Sequence, residues 1–564
     1  MQILNIAMHN FRSIAHCAFS LGDYSLMVGA NNSGKSNVMD ALRIFYEKWL
    51  KYEHGRDFPK FDTEDNESWI EIEYSLSDNE YDSLKDEWRQ PESRLKVRKY
   101  LQTQEKGADG KSKLGIYAYN QDGQIADEHF YGAKKVQQGK LGDLIYIPAV
   151  SKLDEHTKLS GPSVLREPLN DILKKLVKSS NAFSKLTSEF ETFSDNIKAE
   201  KTEDEKSLSG LERDITENIE EWDAAFELNI NSVSETDIVK NLVSYKIIDK
   251  ALNERMDAEQ FGQGFQRHLI FTLIRTAAQY APPVVAGKKK EFKPDMTLLL
   301  FEEPEAFLHP MQQNILCRSL KTIGNQAGQQ IFISSHSPHF VSHSSDDIPS
   351  IIRLSRDNNE TLAGQIGEDK LVDIFADNQQ INDIVKDTIY EAEIDDLKEE
   401  MEAIKYFLWL NPQRCGMFFA RHVLLVEGPT ERVLFNYLIE TEQMLMPKGG
   451  VFILDCLSKF NIHRFMNILN PFKIRHSVLF DADNKQPPHD KVKKLIEDST
   501  NEYTLKIDSF PDDLEAFLNI EKSKKPYRKP QHIMLKLKED QIAEDKLNTL
   551  IDKVEKLFEN VERK

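Results

Sequence analysis

An α/β protein with two chemically distinct modules is the fold class that three features of this chain predict. The apolar run Leu26-Met27-Val28 opens into Gly29-Ala30-Asn31-Asn32-Ser33-Gly34-Lys35-Ser36, and Ala41, Leu42, Phe45 and Trp49 follow at helical spacing. A second apolar run, Thr297 to Phe301, ends in the adjacent carboxylates Glu302 and Glu303. Two more, Val423 to Val426 and Ser477 to Phe480, end in Glu427 and in Asp481-Ala482-Asp483.

The first feature is a strand, a phosphate-cradling loop and a helix. Glycines let the backbone aim its N–H groups at phosphate oxygens, Lys35 reaches the outer phosphates, and the Ser36 hydroxyl holds Mg²⁺. The helix that follows adds its positive N-terminal dipole. Short alternating runs such as Trp69 to Tyr74 continue the strand pattern as far as Leu144 to Ile147. Leu165, Leu169, Ile172, Leu173 and Leu176, then Leu211, Ile215, Ile219, Trp222 and Phe226, fall at helical spacing around the polar run 200–206, which predicts a helical insertion.

The run ending in Glu302 and Glu303 suits a buried parallel strand beside the phosphate loop. Glu302 is expected to face Mg²⁺ and Glu303 to polarise an attacking water. A helical stretch with Leu397, Met401, Ile404, Phe407 and Leu408 on one face then leads through Asn411-Pro412 into the second module. There, Asp481 and Asp483 lie two apart and share a strand face, and a parallel neighbour ending in Glu427 completes an oxygen-rich metal site. Downstream, Asp513 and Glu515 open a helix, either as an N-cap and dipole partner or, for Glu515, as a further ligand.

At 564 residues the chain exceeds a single core, and 40% hydrophobic content suits a large globular protein. No apolar run spans a bilayer, the opening Met1 to Ile6 reads as a strand, and Cys17, Cys317, Cys415 and Cys456 are scattered. A reducing cytoplasm and no membrane partner are expected. The net charge of −20 argues against nucleic acid only at first sight. Residues 419–564 carry 24 Lys and Arg against 24 Asp and Glu, so the whole excess lies in residues 1–418. The neutral quarter gathers Lys522, Lys524, Lys525, Arg528 and Lys529, which could track phosphates or form a solvated loop.

Phe261-Gly262-Gln263-Gly264-Phe265-Gln266-Arg267 upstream of the carboxylate pair, and Ile331 to Ser335 with His336 downstream, complete a pattern that resembles the ABC ATPases. Asn10-Phe11-Arg12 and Glu303-Pro304-Glu305-Ala306-Phe307-Leu308-His309-Pro310 resemble the SMC-like branch. The resemblance implies a homodimer or higher homo-oligomer in which Gly262, Gly264 and Gln266 of one copy complete the ATP site of another. In that site Arg12, Gly29, Asn31, Asn32, Ser33, Gly34, Lys35, Ser36, Asn37 and Glu302 hold nucleotide and metal, Glu303 orients water and His336 senses the γ-phosphate. Phe265 stands where many transporters have glycine, and no glutamine-bearing loop is assigned.

Glu427 with Asp481 and Asp483 resembles the TOPRIM pattern of topoisomerases, primases and certain nucleases. Nearly the whole chain is similar to the overcoming-lysogenization-defect (OLD) nucleases, including those of Gabija-type and retron-associated antiphage systems. This implies an ABC-type ATPase with a helical insertion followed by a TOPRIM α/β domain: a first lobe at 1–160, a helical insertion at 161–240 whose apolar stripes pair either with each other or with a second subunit, a second lobe at 241–390, a helical linker at 391–418 and a nuclease domain at 419–564. The implied metal ligands are Glu427, Glu431, Asp481, Asp483 and Glu515, with Lys529 on the scissile phosphate. ATP and magnesium or manganese are the implied cofactors, DNA the substrate, and a helicase or reverse transcriptase an implied partner. An SMC-like clamp that binds without cutting, and a ribonuclease acting on tRNA, are the alternatives; cleavage of labelled DNA and RNA separates them.

Overall fold

The computed structural model describes residues 1–48, 50–107, 112–131, 140–149, 180–202, 206–220, 246–257, 296–341, 345–386, 398–483 and 488–559, with isolated positions between. The expected helical positions Trp49, Leu165, Leu169, Ile172, Trp222 and Leu397 and the loop residues Gln263 and Arg267 lie outside them. Two compact units are formed, one from Met1–Ile147 with Lys288–Lys564 and the other from Pro148–Gly287.

The first unit opens with β1 (Gln2–Phe11) and β2 (Ile14–Ser20), whose alternating buried positions mark a half-buried antiparallel pair. β3 (Tyr24–Val28) is buried throughout and feeds the phosphate loop and the helix Lys35–Phe45. Next come β4 (Ser68–Ser75), β5 (Arg94–Gln102), β6 (Gly115–Tyr119), β7 (Ile125–His129) and β8 (Asp143–Ile147). The order β2-β1-β4-β5-β6-β7 makes an antiparallel six-stranded sheet, and the helix Lys35–Phe45 buries Val38, Leu42 and Phe45 in the core it shares with Ile6, Ile70, Ile72 and Val97.

The second unit holds the helices Asn181–Ala199 and Leu208–Ile219 and the short pair β9 (Ile247–Asp249) and β10 (Glu254–Met256). Ser180 and Ser207 cap the helices by accepting from the backbone N–H groups of Ala182 and Gly210.

Back in the first unit, β11 (Thr297–Glu302), β12 (Gln329–Ser334), β13 (Ile351–Asp357) and β14 (Glu360–Gln365) join earlier strands in the order β14-β13-β3-β12-β11-β8. All pairs are parallel except β13 with β14. Parallel pairing with both faces covered explains the apolar runs read in the sequence. The third sheet, β16-β15-β17-β18, is wholly parallel and consists of β15 (His422–Val426), β16 (Phe452–Asp455), β17 (Arg475–Asp481) and β18 (Thr504–Phe510).

The helix Glu399–Trp409 presents an unexpected face. Ile404, Phe407 and Leu408, which share the apolar stripe, are exposed among the described residues, whereas Glu402 and Tyr406 are fully buried. Arg464 donates to both Glu402 carboxylate oxygens at 2.8 and 2.9 Å, so a paired charge fills the inward face.

Three buried histidines make this unit acid-sensitive. Burial pushes His422 and His476 down to about 4 and His463 to about 3. Each is neutral when folded but takes a proton in the unfolded chain below about 6.5. Unfolding therefore gains protons, and stability falls as pH drops from about 6.5 towards 4. Urea melts of wild type and His476→Asn across that range isolate one such contribution. The wild-type advantage shrinks as pH falls; a constant difference refutes the assignment.

Candidate functional site

At the first centre, β3 ends where backbone sterics demand glycine. Gly29 has φ +143°, and a Cβ there would fall 2.1 Å from the Leu354 carbonyl oxygen. At Gly34, φ +105°, it would fall 2.4 Å from Thr361 Oγ1. Register then gathers the chemistry: Ser334 pairs with both Met27 and Glu302, so β3, β12 and β11 end at one level.

Lys35 is buried and turns into the loop, donating to the carbonyls of Gly29 at 2.8 Å and Ala30 at 3.0 Å. Burial lowers its pKa to about 8, against the opposing pull of Glu303 and Glu305. Glu302 Oε2 accepts from the Tyr146 hydroxyl at 2.8 Å, while buried Glu302 Oε1 and Ser33 Oγ have no partner. Glu303, at φ +44°, reaches His336 Nε2 at 3.7 Å. Burial and then Lys35 lower the pKa of His336, with Glu303 opposing. Glu305 Oε1 accepts from the His336 backbone N–H at 2.6 Å, tying the segment after β11 to the segment after β12.

Asn31, Asn32 and Ser36 are exposed around the loop, and Asn37 donates to Ser13 Oγ at 2.7 Å. Arg12 is engaged within the chain, by Asp40 at 2.7 Å and Asp57 at 2.9 Å, and so pins the β1–β2 turn to the helix Lys35–Phe45. In the second unit the Gly262 carbonyl accepts from the N–H groups of Phe265 and Gln266, and Gln266 Nε2 donates to the Phe261 carbonyl. Gly264 and Gln266 thus lie in a helix-opening turn that Gly262 leads into.

The second centre forms at the C-terminal edge of the third sheet. Glu427 follows β15 and its Oε1 accepts from the Asp481 N–H at 2.7 Å, joining two strand ends. Glu431, in the first turn of the helix Pro429–Glu440, and Glu515, in the helix Leu514–Phe517, are buried beside them. Lys529 Nζ stands among the carboxylates, 2.9 Å from Glu515, 3.5 Å from Asp481 and 4.0 Å from Glu431.

Burial, then Glu431, Asp483 and Asp513, pushes Asp481 up to about 7 although Lys529 pulls the other way. Burial and Asp481 push Glu427 well above the ordinary carboxylate range. Burial by itself lowers the Lys529 pKa, but Asp481, Glu431 and Glu515 outweigh it and raise the net value. Lys529, even with Lys459 acting on Glu427, therefore under-compensates this cluster.

Asp483 departs from the alternation rule. β17 ends at Asp481, and Asp483 has φ +46°, so the period of two no longer governs where its carboxylate goes. It pairs with Lys459, whose ammonium also donates to the Asp481 carbonyl at 3.1 Å. Lys459 is a buried site residue the sequence reading missed; its position shortly after β16, a strand end beside β15, is the signal that could have found it. Asp455, the last residue of β16, is held by Arg414 at 2.6 Å and Arg432 at 2.5 Å. Asp513 caps its helix by accepting from the Ala516 N–H at 2.8 Å.

Residues 1–341 match the family described as AAA ATPase domain. The chain belongs to that family. Residues 418–483 of this AAA-family chain match the TOPRIM domain of overcoming-lysogenization-defect protein-like sequences. It is similar to the Old nuclease of Escherichia phage P2, 23% identical over 86% of this chain and 77% of the relative. It is also similar to Endonuclease GajA of Bacillus cereus (strain VD045), 22% identical over 86% of this chain and 75% of that one. A solved SMC head bound to the C-winged helix domain of ScpA overlays 66% of this chain and 99% of its own at 14% identity and TM-score 0.37.

An AAA-family ATPase with a TOPRIM domain uses a nucleotide and a divalent metal, and the residues fit both. The partnerless Glu302 Oε1 and the inward-turned Lys35 suit a metal-bound polyphosphate. Around Asp481 every carboxylate donor is a hard oxygen, which suits Mg²⁺ or Mn²⁺. Among the described residues no His, Cys, Asp or Glu trio is closed into a ready cage, and the Lys529 ammonium occupies the middle of the cluster. No helix of the described residues is long and apolar enough to cross a membrane.

Proposed function

We propose that this chain is an ATP-regulated, magnesium-dependent endonuclease that cuts DNA by phosphodiester hydrolysis in antiphage defence. The observation that carries this is the under-compensated carboxylate cluster at a parallel sheet edge, in one chain with a phosphate loop. The similarity to a nuclease and an endonuclease supports it. The assignment covers an ATPase lobe at 1–160, a dimerising insertion at 161–240, a second lobe at 241–390, a linker at 391–418 and the nuclease domain at 419–564.

In the ATPase half, Lys35 and Ser36 hold the phosphates and their metal, Glu303 orients water, His336 reads the γ-phosphate, and Gly262, Gly264 and Gln266 come from a second copy. In the nuclease half Glu427, Asp481 and Asp483 hold the metal, with Glu431 and Glu515 beside them. Divalent metal supplies there a water of lowered pKa and charge for the leaving oxygen. Glu427, ionised once a metal neutralises the cluster, would accept the water's proton. Lys529 turns from Glu515 to the scissile phosphate, and exposed Lys524, Lys525 and Arg528 track its neighbours.

A matrix of Mg²⁺, Mn²⁺ or EDTA against ATP, ADP or no nucleotide, on supercoiled plasmid and labelled RNA, tests the reading. Metal-dependent nicking of DNA, changed by ATP, is expected. Lys35→Ala removes the response to ATP and keeps the cutting chemistry. DNA retention without cleavage in any metal, or cleavage of RNA alone, overturns the proposal in favour of a clamp or a ribonuclease.

A further inference from the structure

A charged cavity lies at the edge of the TOPRIM sheet opposite the carboxylate centre. This cleft, about 650 Å³, is walled by the phosphate-loop tip Ala30–Ser33, by the β13–β14 hairpin from Arg353 to Leu362, and by residues that precede or open β15, β17 and β18. Arg356, Arg421, Lys448, Lys473 and Arg475 line it against the single carboxylate Asp357. Arg475 pairs with Asp357 at 2.9 Å, whereas Arg421 and Lys448 are exposed and have no ion pair among the described residues. Six cations around one acid, counting Arg353, which is committed to backbone carbonyls, make a concentrated positive field in a chain of net charge −20.

The lining carries a second, independent sign of a ligand. His422 is only 6% exposed, and its Nδ1 has no hydrogen-bond partner. Its neighbours Arg475, Arg421 and Arg353 add to burial in keeping it neutral, so the ring offers a hydrogen bond, not a charge, to a bound group. The half-buried Tyr503 adds an aromatic ring to the same lining.

We propose that this cleft is a second nucleotide site, which takes a nucleoside polyphosphate between the phosphate loop and the TOPRIM sheet. Two observations favour a small nucleotide over a nucleic-acid strand. The volume lies within the range of small-ligand pockets, roughly 300–1,000 Å³. β15 and β17 are 5 and 7 residues long, so the cleft is roughly 17–23 Å from the carboxylates at their other ends. A phosphodiester held at Asp481 would not fill it. Phosphates satisfy the unpaired Arg421 and Lys448, and the base stacks on Tyr503. The assignment is independent of whether the carboxylate centre cuts nucleic acid.

Equilibrium dialysis of the full chain against labelled, non-hydrolysable ATP counts the sites. Wild type binds two nucleotides per chain; Lys35→Ala retains one, and so does Arg421→Ala with Lys448→Ala. Both arginine and lysine are exposed and have no ion pair among the described residues, so the fold tolerates the change, and Arg421→Lys with Lys448→Arg keeps two. One nucleotide per wild-type chain, none in Lys35→Ala, or two in the alanine pair overturns the proposal. Displacement of the nucleotide from Lys35→Ala by a short DNA duplex at lower concentration than unlabelled ATP also overturns it, in favour of a nucleic-acid groove.

Discussion

Asp481→Asn lowers DNA nicking at saturating Mg²⁺ by roughly a hundredfold or more, and in the same protein raises the melting temperature in EDTA. The first effect follows from removing a carboxylate that holds the metal directly, since losing even an outer-shell partner costs about 10–100-fold. The second follows from the cluster's own electrostatics. A carboxyl raised from 3.8 to about 7 is ionised at pH 8 against the preference of its surroundings, chiefly burial and then Glu431 and Asp483. Each pKa unit is worth about 1.4 kcal/mol, so neutralising this group returns about 2–4 kcal/mol to the metal-free fold. Because the folded state binds this proton more tightly than the unfolded one, the penalty grows between pH 4 and about 7 and is complete above it. The gain from asparagine is therefore greatest at pH 8 and disappears near pH 4. A structural carboxylate predicts the reverse, intact cleavage with a loss of stability, and that pair of results would remove Asp481 from the centre.

The elements that carry this chemistry were legible because they obey local rules. β3, β11, β15 and β17 are buried on both faces and read as unbroken apolar runs, and their polar successors announce the sheet edge. Gly29 and Gly34 were legible for a steric reason that holds at any address. Long-range compensation was not. Glu402 is inside because Arg464, far along the chain, meets it there, while the apolar stripe of its helix faces outward. Asp483 looked parallel to Asp481 until the strand stopped one residue short of the pair's midpoint and a left-handed residue re-aimed it at Lys459. The cationic cleft was invisible for the same reason, since its wall joins the β13–β14 hairpin to the amino-terminal approaches of strands whose carboxy-terminal ends carried the recognisable motifs.

Arg353→Lys disconnects the two centres while leaving each able to work, and Arg353→Ala destabilises the first unit by about 4 kcal/mol or more. Arg353 lies on β13, where it pairs in register with Val28, the residue before Gly29. Its guanidinium is buried and donates to four carbonyls: Phe418 at 3.1 Å, Ala420 at 2.8 Å, and Phe472 and Lys473 at 3.0 Å each. These carbonyls flank the entry to β15 and the entry to β17, so a strand next to the phosphate loop grips both strands that end in Glu427 and Asp481. Burial lowers its pKa to about 10, yet it stays charged at physiological pH. Removing it leaves four acceptors without their donor at about 1–3 kcal/mol each. An ammonium keeps the charge but cannot span the fork. Coupling between distant sites needs an element whose arrangement both sites bias, and a rigid fork between two sheets is such an element. In Arg353→Lys, ATP hydrolysis and metal-dependent nicking are each expected within about tenfold of wild type, while the ratio of nicking with and without ATP moves to one. If that ratio stays at the wild-type value in a folded variant, nucleotide control travels by another route, and Arg353 is a structural clamp alone.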